Sequence, residues 1–171
     1  MSNSPASSAA DPLLACTIRF MAGCRQKTDA LISRVEKAAD PQAALEWRPG
    51  PGRAHIGWQL VHIGATEEKF ARNRLHAGEL AHPDIIAAFG HGSTPDDTAW
   101  PLERIKGYLQ ESRAIVTAAI HELAGVDLDS KPDTMADRGW SYADALNLLV
   151  WHEGHHQGQG HITMNLFELE A

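Results

Sequence analysis

Residues 151–159 read Trp-His-Glu-Gly-His-His-Gln-Gly-Gln, and this is the most informative stretch of the chain. It places three histidines within five residues of a predicted helix. His152 and His156 are four residues apart, so a helix puts both imidazoles on one face, one turn apart. Two imidazoles at this spacing can ligate one metal ion, as they do in HExxH proteases. The motif therefore predicts a metal-binding helix whose remaining ligand comes from elsewhere in the chain.

Apolar residues recur with the period of an α-helix in four segments of the chain. These segments are residues 12–40, 54–77, 101–125 and 141–166. Asp11-Pro12 is typical of a helix start, and Asp40-Pro41 is interpreted as the end of the first helix. No stretch alternates with period two for long enough to predict a strand. We therefore expect an all-α, four-helix bundle with two long connections, at 78–100 and 124–140.

Size and charge limit the classes of protein to consider. A chain of 171 residues fits one domain, and a net charge of −7 with scattered basic residues disfavours a nucleic-acid partner. No apolar run approaches the ~20 residues of a membrane span, so no membrane partner is expected. Residues 1–11 are small and polar and are predicted to be a disordered tail before a single domain at 12–171.

The two cysteines indicate the cellular compartment in which the protein is expected. Cys16 and Cys24 are eight residues apart on one predicted helix, which separates them by roughly 12 Å. That distance is too long for a disulfide bond. Two unpaired thiols are compatible with the reducing cytoplasm, which is the location we expect.

The third ligand is sought among the ten histidines of the chain. His62 lies in the middle of the second predicted helix, within an apolar context. It belongs to a polar line of His55, Gln59, His62 and Thr66, at steps of four, three and four residues. Such a line on an otherwise apolar helix predicts a polar pocket inside the bundle. A mid-helix histidine is more often a hydrogen-bonded core residue, so the selection of His62 depends on the two helices facing each other.

Two neighbours of the cluster have open roles. His155 lies about 60° round the helix from His152, on the side away from His156. It is able to replace His156 as a ligand, to support the site, or to face solvent; we favour His156 because an i, i+4 pair is more nearly parallel. Glu153 has the offset of the general base in zinc proteases but lies about 100° from His152. A surface carboxylate paired with a neighbour is the simpler interpretation of Glu153.

Glu67 and three glycines also have two interpretations each. Glu67 could orient a histidine through its second nitrogen, but it is five residues from His62 and not on the same face. Each of Gly154, Gly158 and Gly160 costs roughly 1 kcal/mol against alanine inside a helix. Either the helix is locally weak and frayed after Gly158, or another helix or a ligand approaches closely there.

With these residues in place, the chain resembles the DinB/YfiT-like family of metal-dependent proteins. The resemblance is carried by residues 58–63 (Trp-Gln-Leu-Val-His-Ile) with Glu67, and by residues 152–159, and it extends from Asp11 to the C-terminus. It implies a four-helix bundle with one divalent metal ion per protomer, zinc or nickel, while iron(II) also suits imidazole. The ligands that the resemblance implies are His62, His152 and His156, the same three that the spacing selects.

Three neutral imidazoles leave a coordination position open, as in catalytic rather than structural zinc sites. A metal in such a site lowers the pKa of bound water to about 7 or deprotonates a bound thiol, so hydrolysis and thiol transfer are both possible. Relatives in the family include thiol-dependent transferases and isomerases, which favours thiol chemistry on a small-molecule substrate with a low-molecular-weight thiol. The alternatives are a metal-dependent hydrolase, a non-catalytic metal-binding module related to stress, and a helical oligomer without metal. The sequence assigns no catalytic side chain beyond the ligands.

Self-association is a further expectation. The chain has five tryptophans and long amphipathic helices, more than one site needs. A two-fold homodimer is the commonest solution for such surfaces. The alternative is that all five tryptophans fill the core of the chain's own bundle.

Overall fold

The computed structural model of the chain describes residues 11–170 and is built from helices. Six α-helices follow one another in these residues: α1 Pro12–Glu36, α2 Pro41–Glu46, α3 Ile56–Lys69, α4 Pro83–Phe89, α5 Leu102–His121 and α6 Tyr142–Glu170. A π-helical turn, Phe70–Arg74, extends α3, and a 3₁₀ turn, Asp133–Met135, precedes α6. Residues 11–170 contain no strand, which confirms the all-α class. The tail expected at residues 1–11 lies, apart from Asp11, outside the described residues.

The four long helices α1, α3, α5 and α6 correspond to the four predicted segments, but the count of four helices is not confirmed. Two short helices occupy connections that were expected to be loops or turns. Asp40-Pro41 begins α2 rather than ending the first helix, because the Asp40 carboxylate accepts a hydrogen bond from the Ala43 amide at 3.0 Å. Helix α1 has already ended at Glu36. Helix α4 lies within the connection expected at 78–100 and begins at Pro83, without a capping hydrogen bond from the side chain of His82.

The second predicted helix, 54–77, is shorter in the structure. Helix α3 ends at Lys69 and continues as the π-helical turn, in which the Leu75 amide donates to the Phe70 carbonyl at 2.8 Å. Hydrophobic period alone does not distinguish this wider turn from an α-helical one.

Helix α3 is the centre of the molecule and packs against both α5 and α6. Nearly all its residues are buried. At Gly64 the neighbouring helix comes so near that an added Cβ would lie 2.8 Å from the Tyr108 ring. The packing of α3 therefore fixes the histidine that it carries relative to α6.

Helix α6 runs unbroken to Glu170 instead of fraying after Gly158. A Cβ on Gly160 would lie 2.5 Å from Cδ2 of Leu31 on α1, so Gly160 permits a close approach of two helices. Gly158 has no atom within 4 Å of its added Cβ, and Gly154 has an ordinary contact with Cys24 Sγ at 3.9 Å. The close-approach interpretation is thus correct for Gly160 alone.

Three further expectations concern a membrane span, the two cysteines and the tryptophans. No helix in residues 11–170 has the length and apolarity needed to cross a membrane. Cys16 and Cys24 are both free thiols, as predicted. Trp58 is buried, but Trp151 is 58% exposed, so the tryptophans do not all fill the core. The homodimer stays a prediction.

Candidate metal centre

The structure brings His62, His152 and His156 together at the contact between α3 and α6. One ring nitrogen from each lies within 4.8 Å of the other two. The Nε2 atoms of His62 and His152 are 3.0 Å apart. Zinc–nitrogen bonds of about 2.0–2.1 Å in tetrahedral geometry require nitrogen separations of roughly 3.3 Å, a value between these two distances.

Hydrogen bonds to the second ring nitrogens orient two of the three imidazoles. His62 Nδ1 donates to the Phe89 carbonyl at 2.5 Å, and His156 Nδ1 donates to Gln59 Oε1 at 2.5 Å. Since a carbonyl oxygen only accepts, both rings carry their proton on Nδ1 and present the Nε2 lone pair to the cluster. This is how metal-binding histidines are usually held. Trp58 stacks on the His62 ring at 4.5 Å and restricts its rotation.

The three imidazoles form part of the wall of a cavity of about 390 Å³. Aromatic and apolar side chains make up much of the remaining wall, among them Trp58, Phe70, Leu148 and Trp151. The cavity has the size and the mainly apolar character of a small-molecule site. A group bound at the three nitrogens would therefore face a space that a small substrate can enter.

The comparisons with known proteins agree with this geometry. The sequence profile of the DinB superfamily matches residues 21–159, most of the chain. The chain belongs to the DinB superfamily. No curated protein and no solved structure matches the chain significantly.

Proteins of the DinB superfamily typically bind metal, and the donor set of this member fits a divalent ion. Burial lowers the pKa of His152 to about 3 and that of His156 to about 2, with a further contribution from neighbouring histidines. Burial also lowers the pKa of His62. All three imidazoles are therefore neutral at pH 7, which is the form that ligates a metal.

The same pKa shifts predict that acid destabilises the metal-free protein. In the unfolded chain these histidines have a pKa near 6.5, so between pH 6.5 and about 3 the unfolded state binds more protons than the folded state. The free energy of unfolding should fall as pH drops below 6.5, by up to ~1.4 kcal/mol per pH unit for each such histidine. Urea unfolding of metal-stripped protein at pH 7, 6 and 5 measures this. His152→Gln should show a shallower dependence, and equal stability at the three pH values would contradict the expectation.

His155 lines the cavity but is not one of the three converging donors. Its ring is exposed, stacks on Trp151 at 4.8 Å, and its Nε2 accepts a hydrogen bond from Gln159 Nε2 at 2.8 Å. Gln159 in turn accepts from Gln59 Nε2 at 2.8 Å. His155 thus lies at the mouth of the site and joins the hydrogen-bond chain that leads through Gln59 to His156.

Glu67 and Glu153 form no hydrogen bond or ion pair with the three histidines and instead belong to a buried ion cluster with Arg25 and Arg113. Glu153 is 2% exposed, so its interpretation as a surface carboxylate is wrong. Arg25 Nε donates to Glu153 at 2.7 Å and its Nη2 to Glu67 at 3.0 Å, and Arg113 pairs with both carboxylates. One residue comes from each of α1, α3, α5 and α6, so the cluster ties the four long helices together beside the metal centre.

The other three residues of the polar line on α3, Thr66, Gln59 and His55, have different roles. Thr66 lines the cavity, and its hydroxyl lies 3.2 Å from His152 Nε2. Gln59 lies behind His156 and borders a neighbouring cavity rather than this one. His55 is the N-cap of α3, where its Nδ1 accepts from the Trp58 amide at 3.0 Å. Only one of the three residues expected to edge the pocket therefore does so.

Sequence reasoning missed the cationic part of the cavity wall and the carbonyl that holds His62. Lys69, Arg74 and Arg138 all line the cavity. Lys69 could have been found, because it is seven residues after His62 and so lies within about 20° of it on the helix. Arg138 belongs to the connection before α6, and the Phe89 carbonyl ends α4; no sequence pattern reveals either position.

Proposed function

We propose that the chain is a divalent-metal-dependent enzyme, with His62, His152 and His156 as the ligands of one zinc or nickel ion, and that it transfers or isomerises small molecules with the help of a low-molecular-weight thiol. One observation carries the proposal: three imidazole nitrogens converge on the wall of a cavity large enough for a substrate. A structural metal site would be closed by a fourth protein ligand. Within residues 11–170, the group of candidate donors has three members, all histidines.

The residues around the centre have definable tasks. A bound divalent ion would supply Lewis acidity, which lowers the pKa of a coordinated thiol. The Phe89 carbonyl and Gln59 hold the rings of His62 and His156 in the orientation that ligation needs. Trp58 and Phe70 form an apolar wall that limits water near the reacting atoms.

The composition of the cavity supports thiol transfer over hydrolysis. In zinc proteases a carboxylate usually accepts the proton of the attacking water. Among residues 11–170, no aspartate or glutamate lines the cavity. Glu153, at the sequence offset of that base, is held in the buried ion cluster by Arg25 and Arg113. A thiol needs less help, because coordination alone removes its proton.

We also propose that the architecture is the four-helix bundle implied by the family resemblance. The four long helices provide the core, and α2 and α4 are short additions in the connections. The contacts of α3 with α5 and α6, and of α1 with α6, support this description.

The test is a screen of purified protein loaded separately with zinc, nickel and iron(II). Low-molecular-weight thiols are offered with electrophiles, and ester and amide substrates are offered without thiol. We expect metal-dependent conversion of the electrophile, with loss of free thiol in a transfer and with the thiol regenerated in an isomerisation, and His156→Ala should abolish the conversion. Cleavage of esters or amides alone would instead identify a hydrolase. Stoichiometric metal with no activity in any form would overturn the catalytic proposal in favour of a metal-binding module.

A further inference from the structure

The wall of the metal-site cavity carries positive charge and no negative charge. Lys69, Arg74 and Arg138 line it together with the histidines, and no aspartate or glutamate of the described residues does. The chain as a whole has 22 acidic and 15 basic residues, so composition alone would put acidic residues in the majority.

Another cavity in the molecule shows that this arrangement is not general. The cavity of about 840 Å³ between α1 and α5 mixes three basic residues with the acidic Asp29 and Glu36. In a mixed wall of that kind, acidic side chains offset the charge of the basic ones. The basic side chains of the metal-site cavity have no such acidic neighbours on the described part of the wall.

Two of its three cations have no carboxylate partner among the residues that the structure describes. Arg74 is neutralised by Asp137, with Nη1 2.7 Å from Oδ1. In the part of the chain that the structure describes, Lys69 forms no ion pair, and Arg138 stacks over the Trp140 ring at 4.7 Å without pairing with an acid. Lys69 and Arg138 therefore leave a positive field over the cavity that a bound anion would satisfy.

The position of these cations sets the distance at which the anion would lie. Lys69 follows His62 by seven residues, two turns along the same face of α3, which is a rise of about 10 Å. The flexible lysine stem can shorten this distance by folding back toward the site. The cavity thus runs from the three imidazoles at one end toward the cations at the other.

The geometry points to a small organic anion as the ligand of this cavity. We propose that a carboxylate or a phosphate monoester of the substrate lies against Lys69 and Arg138 while its reacting atom lies at the three histidines. The position of the reacting atom rests on the proposed function, whereas the anion subsite rests on the charges of the wall.

The experiment compares two probes that differ only in the distal group. Adipate and adipate monoamide each keep one carboxylate for the histidine end, but only adipate has a second one for the cations. Calorimetric titration of zinc-loaded protein should give roughly ten-fold tighter binding of adipate. Lys69→Gln with Arg138→Gln should reduce that ratio to about two-fold. A third probe, 5-phosphonopentanoate, shows whether a phosphorus oxyanion or a carboxylate is preferred.

A matched control separates the subsite from the general field of the protein. Arg72 belongs to the same π-helical turn as Arg74 but lines a different cavity, so Arg72→Gln should leave the adipate ratio unchanged. Equal binding of adipate and its monoamide would overturn the proposal, and so would an effect of Arg72→Gln equal to that of the double variant Lys69→Gln with Arg138→Gln. The experiment measures binding, so a negative result contradicts the anion subsite and does not test the metal-dependent activity. Conversely, a protein that is inactive in the activity screen but still prefers adipate would support the anion subsite.

Discussion

Replacing His62 by alanine should reduce the affinity for zinc at least about 100-fold while the protein stays folded. Loss of a residue that only orients a ligand already costs 10–100-fold, and loss of the ligand itself costs more. His62 is 5% exposed and is the only candidate donor that α3 contributes to the cluster within residues 11–170, so no other side chain can replace it without movement of the helix. His152→Ala and His156→Ala should have similar effects. Metal content after dialysis against a weak chelator measures the change, and circular dichroism checks the fold.

His155→Ala is the matched control for these variants. His155 lies in the same turn of α6 and lines the same cavity, but its ring faces Trp151 and Gln159 and is not one of the converging donors. We expect full metal content in His155→Ala and a 10–100-fold weaker affinity in Gln59→Ala, because Gln59 orients His156. Full metal content in folded His62→Ala, or loss of the metal from His155→Ala, would show that the ligand set is wrong.

Glu153→Ala should lower the free energy of unfolding by about 3–5 kcal/mol, the usual cost of removing one partner from a buried ion pair. Glu153 accepts from Arg25 at 2.7 Å, from Thr28 at 2.9 Å, and from Arg113. Its removal leaves two largely buried guanidinium groups with Glu67 as their only remaining carboxylate partner in the cluster. Urea unfolding should be measured on metal-stripped protein, so that ligand binding adds nothing to the stability.

An exposed ion pair provides the control for this variant. Glu168 pairs with Arg34 at 2.7 Å, but its side chain is 50% exposed. Solvent screens such pairs, and Glu168→Ala should cost less than about 1 kcal/mol. If Glu153→Ala costs no more than Glu168→Ala, the buried cluster does not hold the four long helices together.

The ligand set could be proposed from the sequence because each part of it follows a local rule. The interval between His152 and His156 places two imidazoles on one helix face whatever surrounds the helix. His62 was recognisable as a polar residue in the middle of an apolar helix. The helix boundaries were harder to predict, since the Asp-Pro pair at 40–41 is a helix start and also follows the end of another helix. Local sequence does not show which of the two roles prevails.

The roles of the carboxylates and of the cavity wall depended on packing between distant segments. Glu153 has the sequence offset of a zinc-protease base, yet α1 and α5 bring Arg25 and Arg113 against it, and the resulting ion cluster buries it. Likewise, Arg138 reaches the metal-site cavity only because the connection before α6 folds over the end of α3.

The helical class, the four long helices and the histidine spacing on α6 could be predicted from the sequence, because helical period, caps and i, i+4 geometry are properties of neighbouring residues. Other relations became visible only in the folded chain: His62 faces that pair, the Phe89 carbonyl and Gln59 set the tautomers, and Lys69 and Arg138 border one cavity. Those relations join residues far apart in the chain. They depend on how close the helices approach and at what angle, which the side-chain packing at positions such as Gly64 and Gly160 fixes.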